Sequence, residues 1–494
     1  MNGWQRVPSP LREGWIVGNE ITSNFCFFYF GRHGFDWVVA FDRRRVTKVA
    51  KTFGYSVPSN PKSCRTNSES FMQTRWDVII VGGGAAGLWA AGTAAARGRR
   101  VLILEKNNKA GVKILMSGGT RCNITHNCDS RKIADAFGKN GRVLLSVLSR
   151  LSPQEVVRQM DHEGVPTKVE ETGKVFPASD RAIDVRDAVV RRLAREGASL
   201  VTGAAVQSIR PLPLESGGFE VSAKIQGQSS VNFACDSVLL TCGGLSYSGC
   251  GTTGDGYPWA QAMGHTITPL RPALTPLLSN EAWVHELSGI TLEDAEVTAR
   301  VTRQDGKIAK MERATSRGGL LWTHMGCSGP TAMNVSRCFS DLPNEHTAAM
   351  LIDLLPDVSR EACEQWLIDV AKESNKTITN VLSQRIPKRL ATALVALVGS
   401  TNEVHTAEMS KKVRNGLIER LKALSVPIQG TRGYPKAEVT AGGVALGEVN
   451  FQDMQSRKMP GLFLAGEILD LDGPIGGYNF QAAWSTGHAA GLHV

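Results

Sequence analysis

Three glycines, Gly82, Gly84 and Gly87, follow directly on the β-branched run of residues 77–81. That G-x-G-x-x-G spacing lets a chain turn tightly at the first glycine and bring its backbone against a pyrophosphate at the second. At the third, the next helix can lie close to the sheet. The helix opening at Ala85 and Ala86 would present free N–H groups and partial positive charge to phosphates. A second apolar run, residues 101–104, ends in Glu105, 18 residues after Gly87. An acid there accepts hydrogen bonds from ribose hydroxyls and disfavours a 2′-phosphate. Strand, glycines, helix, strand and acid in register point to a bound dinucleotide.

Two further glycine-rich sites follow. In residues 113–123, Ser117, Gly118 and Gly119 offer backbone N–H groups to a large ligand, and Lys113 and Arg121 offer charge. Alternatively, this stretch is a basic surface loop. Near the C-terminus an apolar run ends in Gly466-Glu467. A loop rich in glycine, residues 470–477, then opens a small-residue helix near Gly477, Tyr478 and Asn479. This strand–loop–helix suits the isoalloxazine end of FAD. Glu467 would hold ribityl hydroxyls, and the helix end would face the flavin edge where negative charge develops on reduction. Between these sites, residues 237–242 form a strand that runs into Gly243-Gly244.

Together these blocks resemble the BaiN/YhiN-type flavoprotein family, related in fold to the fumarate reductase and succinate dehydrogenase flavoproteins. The resemblance runs from about Trp76 to the C-terminus. It rests on Val81 to Gly87, Ser117-Gly118-Gly119-Thr120-Arg121-Cys122-Asn123, Thr241 to Tyr247, Thr253-Gly254-Asp255-Gly256-Tyr257, Thr323-His324-Met325-Gly326-Cys327-Ser328-Gly329-Pro330, Thr440-Ala441-Gly442-Gly443-Val444, and Gly466-Glu467 through Gly476-Gly477-Tyr478-Asn479. Thr120 stands where the family usually has glycine, and residues 453–458 match its pattern loosely.

The resemblance implies an α/β fold: a two-part Rossmann-like FAD-binding domain with an inserted β-rich subdomain and a helical subdomain. The expected divisions are an extension (1–75), the first FAD-binding part (76–265), the two inserts (266–358 and 359–435) and the second FAD-binding part (436–494). It implies non-covalent FAD and oxidoreductase activity, with NADH or NADPH as electron donor and a small unsaturated substrate. Lys106, Cys122, Asn123 and Val206 join the glycines and acids above as expected cofactor contacts. His324 and Tyr247 are the candidates for catalysis. Histidine is the residue type most useful as a proton donor near neutral pH, which favours His324; its other reading is a residue that orients a loop. Arg121 would clamp the flavin phosphates or an anionic substrate. Cys122, without a partner cysteine at short spacing, reads as packing or as a redox thiol.

Composition frames these readings. The chain has 51 glycines among 494 residues, above a usual share of about 7%. Its ten cysteines include no Cys-x-x-Cys pair, which disfavours zinc fingers, metal sites and a dithiol centre. Residues 1–75 hold 11 Lys/Arg against 5 Asp/Glu, and the rest of the chain 45 against 41. The folded body is therefore nearly balanced, and no stable nucleic-acid partner is expected. No apolar run is long enough to span a bilayer. The basic extension reads equally as an organelle presequence, for chloroplast or mitochondrion, or as a disordered leader of a cytoplasmic protein. The alternative functions are a nucleic-acid-modifying flavoprotein and a flavin-bound sensor. Oligomeric state stays open.

Overall fold

The computed structural model describes residues 28–31, 34–38, 75–310, 314–343, 345–373 and 376–494. The chain divides into two units, residues 1–73 and 74–494. In the first, Phe28–Gly31 pairs antiparallel with Gly34–Val38. Apart from this hairpin, the expected presequence or leader lies outside the described residues.

The elements of the second unit that matter here are β1 (Trp76–Val81), α1 (Ala85–Ala95), β2 (Val101–Glu105), α2 (Val112–Thr120), α3 (Ala182–Glu196), β3 (Ser199–Thr202), β4 (Ser230–Leu240), β5 (Leu462–Leu464) and α4 (Tyr478–Gly491). The five strands form a parallel sheet in the order β3, β2, β1, β4, β5. β1 and β2 are almost wholly buried, as strands covered on both faces must be. The strand expected over 237–242, β4, starts earlier, at Ser230, and ends at Leu240. Its first half alternates buried and open residues and pairs antiparallel with Phe219–Ile225. Only its second half joins the parallel sheet. One strand thus carries two periodicities, and the continuous apolar run reveals only one of them.

The chain leaves this sheet and returns through Arg271–Ala273 paired with Val439–Ala441. Between them lies a seven-stranded antiparallel sheet containing Thr291–Thr302, Thr315–Thr323 and Thr347–Asp353. The helices Arg360–Glu373, Lys388–Leu397 and Lys411–Ala423 follow. Leu424–Pro427 then returns to pair with Thr347–Asp353. A single hydrophobic core runs through sheet and helices alike, with Trp322, Met350, Leu390 and Leu417 all fully buried in it. No helix of the described residues is long and apolar enough to cross a membrane.

α1 and α4 cross with almost nothing between their backbones. A Cβ on Gly487 would lie 2.4 Å from the Ala86 carbonyl oxygen, and one on Gly491 would lie 2.5 Å from that of Ala90. Trp89 and Trp484 pack beside the crossing with ring centroids 5.2 Å apart. Gly487→Ala should therefore lower the melting temperature, at a cost of about 1–3 kcal/mol for overpacking. Gly447→Ala, where a Cβ meets nothing within 4 Å, is the matched control.

His488 on the same helix has its Nδ1 3.2 Å from the Thr93 hydroxyl. Burial pulls its imidazole down to about 4. Below the ordinary histidine value the unfolded chain binds a proton that the folded chain refuses. Stability is thus lost as pH falls toward about 4, by at most about 3 kcal/mol. Urea denaturation at neutral and acid pH should show His488→Gln losing less stability over that window than the wild type.

Candidate functional site

A cavity of about 310 Å³ opens where β1 and β2 end and where α1 and α4 begin. Of the residues singled out from the sequence, Gly82, Gly84, Ala85, Ala86, Glu105, Lys106, Lys113, Ser117, Gly118, Asn123, Val206, Gly243, Tyr247, Gly466, Glu467, Gly477 and Asn479 line it. Gly87, Gly119, Arg121, Cys122, Gly244, Tyr478 and His324 are not part of the lining.

The three motif glycines differ in what they do. Gly82 adopts φ +105°, and a Cβ there would lie 2.6 Å from the Thr241 carbonyl oxygen. Gly87 has no space either, with the Gly82 oxygen 2.1 Å from its would-be Cβ. Both are needed for the fold. Gly84 has ordinary φ, and nothing lies within 4 Å of a Cβ built on it. A side chain there would enter the cavity. α1 begins at Gly84 with no side-chain cap, and α4 begins at Gly477 likewise. Two sets of helix-end N–H groups are thereby left for a ligand.

The acids and lysines are largely engaged with each other. Glu105 accepts from the Gly83 N–H at 2.7 Å and the Asn107 N–H at 2.8 Å. A carboxylate has room for about four hydrogen bonds, so acceptor capacity remains for ribose. Lys106 donates to the Thr253 hydroxyl at 2.5 Å and pairs with Asp255. Lys113 pairs with Glu467 at 2.6 Å and donates to the Ser246 hydroxyl at 2.7 Å. Ser246 also donates to Glu467, which accepts the Thr440 N–H at 3.0 Å. With its amide oriented to donate to the Val175 and Thr125 carbonyls, Asn123 accepts the Gly477 N–H at 3.0 Å. Asn479 accepts from the Gly473 N–H at 2.7 Å and donates to the Gly473 carbonyl at 2.9 Å, closing the loop that precedes α4.

Of the candidates outside the lining, the four that carry side chains sit elsewhere. Arg121 donates to Glu170 at 2.8 Å and Asp180 at 3.2 Å, and its guanidinium stacks on the Phe176 ring. It braces a small antiparallel sheet, Thr125–His126 with Lys174–Pro177 and Thr167–Val169. Cys122 is fully buried, and burial pushes its thiol up to about 12, so it packs as a small apolar side chain. His324 lies exposed in the turn joining Thr315–Thr323 to Gly326–Ser328. Its motif is a hairpin turn, which places the imidazole in solvent. The Tyr478 ring stacks on His126 with centroids 4.7 Å apart. Tyr247 does line the cavity, and it holds φ +55°, uncommon for a bulky residue.

Three positioning or lining residues had no local signal. Asn334 accepts the Ile475 N–H at 2.9 Å, and Arg337 pairs with Asp472 at 3.0 Å. Both reach from the inserted sheet's side to the loop before α4. Glu438, just ahead of the return strand, lines the cavity.

The HI0933-like protein Rossmann domain matches residues 76–493. The chain belongs to that family. The HI0933-like family is one of FAD-dependent oxidoreductases, and the cavity suits FAD: an open backbone cradle at Gly84, two uncapped helix ends and a ribose-competent acid. Among relatives, the chain is similar to a ribosomal RNA dihydrouridine synthase of Escherichia coli, 31% identical over 84% of this chain and 97% of that protein. It is similar also to a 3-dehydro-bile acid delta(4,6)-reductase of Clostridium scindens, 32% identical over 83% of this chain and 97% of that protein. A solved flavocytochrome c3 fumarate reductase aligns at 16% identity and TM-score 0.44, over 88% of this chain and 81% of that one.

For this HI0933-like chain the cradle is testable. Gly84→Val should leave FAD-free stability within about 1 kcal/mol of wild type, since a Cβ there meets nothing within 4 Å. It should weaken FAD binding at least about tenfold, or about 1.4 kcal/mol, read by fluorescence titration of the FAD-free protein.

Proposed function

We propose that the protein is an FAD-dependent reductase that saturates a carbon–carbon double bond conjugated to a carbonyl, using NADH or NADPH as electron donor. The double bond of a small enone-like molecule is the leading substrate class. The observation that carries this reading is the cavity itself: two glycine-started helices and an apolar wall of Leu274, Val439 and Ile475 meet along one cleft. The relatives' names support it. Dihydrouridine differs from uridine by two hydrogens across a double bond conjugated to a carbonyl. A delta(4,6)-reductase of a 3-oxo steroid acts on bonds of the same type.

FAD, when bound and reduced, would supply a hydride for the substrate carbon β to the carbonyl. The chain's residues do the rest. Backbone N–H groups at the starts of α1 and α4 take the phosphates and the electron-rich flavin edge. Glu105 and Glu467 take hydroxyls. Asn479, Asn334 and Arg337 fix the loop 470–477, which would hold the flavin ring. Tyr247 faces the cleft and orients the substrate carbonyl.

A second reading, reduction of uracil in ribosomal RNA, is favoured by the relatives bearing that name, 31% and 30% identical over nearly their whole length. The two readings separate in one experiment. Purified protein should be yellow and bleach anaerobically with NADH or NADPH. Stopped-flow reoxidation by an enone panel, in preference to uridine-containing RNA, supports the leading reading. Reoxidation by RNA alone favours the second. A colourless protein that cannot be reconstituted with FAD overturns both.

A further inference from the structure

The cavity contains one carboxyl group that none of these assignments uses. Glu438 is anchored at its backbone, where its N–H donates to the Leu274 carbonyl at 3.0 Å. The next residue begins the return strand Val439–Ala441. Leu274 and Val439 form a small apolar cluster with Ala273 and Ala441, and Ile475 of the glycine loop packs against it. Glu438 therefore enters the cavity beside the loop that opens α4, the part of the cleft assigned to the flavin ring and the substrate.

Its chemistry differs from that of the other cavity acids. Glu105 accepts two backbone N–H groups, Glu467 is held by Lys113, Ser246 and Thr440, and Asp255 is held by Lys106. Among the described residues, no hydrogen-bond or ion-pair partner meets the Glu438 carboxyl. The charged groups that act on it are Lys113, itself committed to Glu467, and Lys174. Glu438 is an exposed residue whose carboxyl opens on the cavity it lines. Desolvation by the neighbouring protein raises it above the usual carboxylate range, against the downward pull of the two lysines. An acid that keeps its proton nearer neutrality, with nothing in the protein to give it to, is a poised donor.

We propose that Glu438 is the proton donor of the reduction, delivering its proton to the substrate carbon α to the carbonyl. The proposal rests on the reductase reading above. As hydride arrives at the β carbon, the π pair of the double bond moves toward the α carbon and the carbonyl. The Glu438 O–H bond then breaks and a C–H bond forms at the α carbon. The carboxylate left behind takes a proton from water at the open mouth of the cavity. Hydride from the reduced flavin and a proton from Glu438 account for the two hydrogens gained.

The test separates the two half-reactions in the full chain. Glu438→Gln should keep its yellow colour and bleach with NADPH at a rate within about threefold of wild type. Its reoxidation by the best enone should slow by about 10²–10⁴-fold, the usual contribution of a positioned acid. Glu438→Asp should recover part of that loss. In wild type the reoxidation rate should fall as pH rises through the carboxyl's elevated titration, and that limb should vanish in Glu438→Gln. A readout independent of turnover is infrared difference titration of the FAD-loaded protein without substrate. A protonated carboxyl band persisting above the ordinary glutamate range should be present in wild type and absent in Glu438→Gln. Equal reoxidation rates in wild type and Glu438→Gln, or loss of FAD on substitution, would overturn the assignment while leaving the reductase reading standing. A wild type that bleaches but reduces no unsaturated carbonyl overturns both.

Discussion

The crossing of α1 and α4 is the contact on which the cavity depends. The two helices come from opposite ends of the folded unit, yet Gly487 and Gly491 bring α4 against the Ala86 and Ala90 carbonyls. The pairing of Ala86 with Gly487 and of Ala90 with Gly491 makes the helices run in the same direction. Parallel helix dipoles side by side repel slightly, and the arrangement is useful only if something negative meets both N-termini. Both helix starts open on the cavity. The absence of two Cβ atoms thus aims two helix ends at one ligand.

This arrangement also explains why the cavity's lysines are occupied. Lys106 and Lys113, the basic side chains lining it, are paired with Asp255 and Glu467. Phosphate recognition then falls to backbone N–H groups, which are fixed in direction and carry no net charge. Side-chain cations instead fix loops: Lys113 ties α2 to the Gly466-Glu467 turn, and Lys106 ties the end of β2 to the segment after β4. The lysines hold the walls in place, and the backbone N–H groups are left to meet a phosphate.

The fold was legible where a local pattern carries the physics. Residues 77–105 place strand, glycine turn, helix, strand and acid in one stretch, and the structure forms β1, α1 and β2 there. The start of α4 at Gly477 was equally legible, because a glycine-rich loop before a small-residue helix is a local signal. Arg121 was not legible. Its charge suggested phosphate, but its partners, Glu170 and Asp180, lie some fifty residues on, in the loops that follow two short strands with no strong periodicity. His324 was singled out from a block of the resemblance and for its residue type, while the Thr323 and Gly326 that flank it define a turn. Glu438 had the opposite fault. One acid before a short strand carries no spacing signal, and only the return of that strand beside Leu274 gives it a cavity to face.

The second glycine loop shows how strain and ligand geometry meet. Ser117 leaves the helical path of α2, and Gly118, Gly119 and Thr120 follow at φ +56°, +67° and +69°. Successive left-handed residues are costly for any chain with side chains, by roughly 1–2 kcal/mol each for a non-glycine residue. Two glycines remove most of that cost, but Thr120, β-branched and standing where the resemblance leads one to expect glycine, retains it. The turn is closed by the Cys122 N–H donating to the Ser117 carbonyl at 3.1 Å, with Cys122 itself at φ +64° and buried. Buried Cys122 and the Asn123 bond to Gly477 hold the loop from behind, so the strain sits at the cavity's lip with Ser117 and Gly118 facing inward. A loop held in this way presents its backbone to the ligand without having to rearrange when the ligand arrives, which is where a local cost of this size is offset.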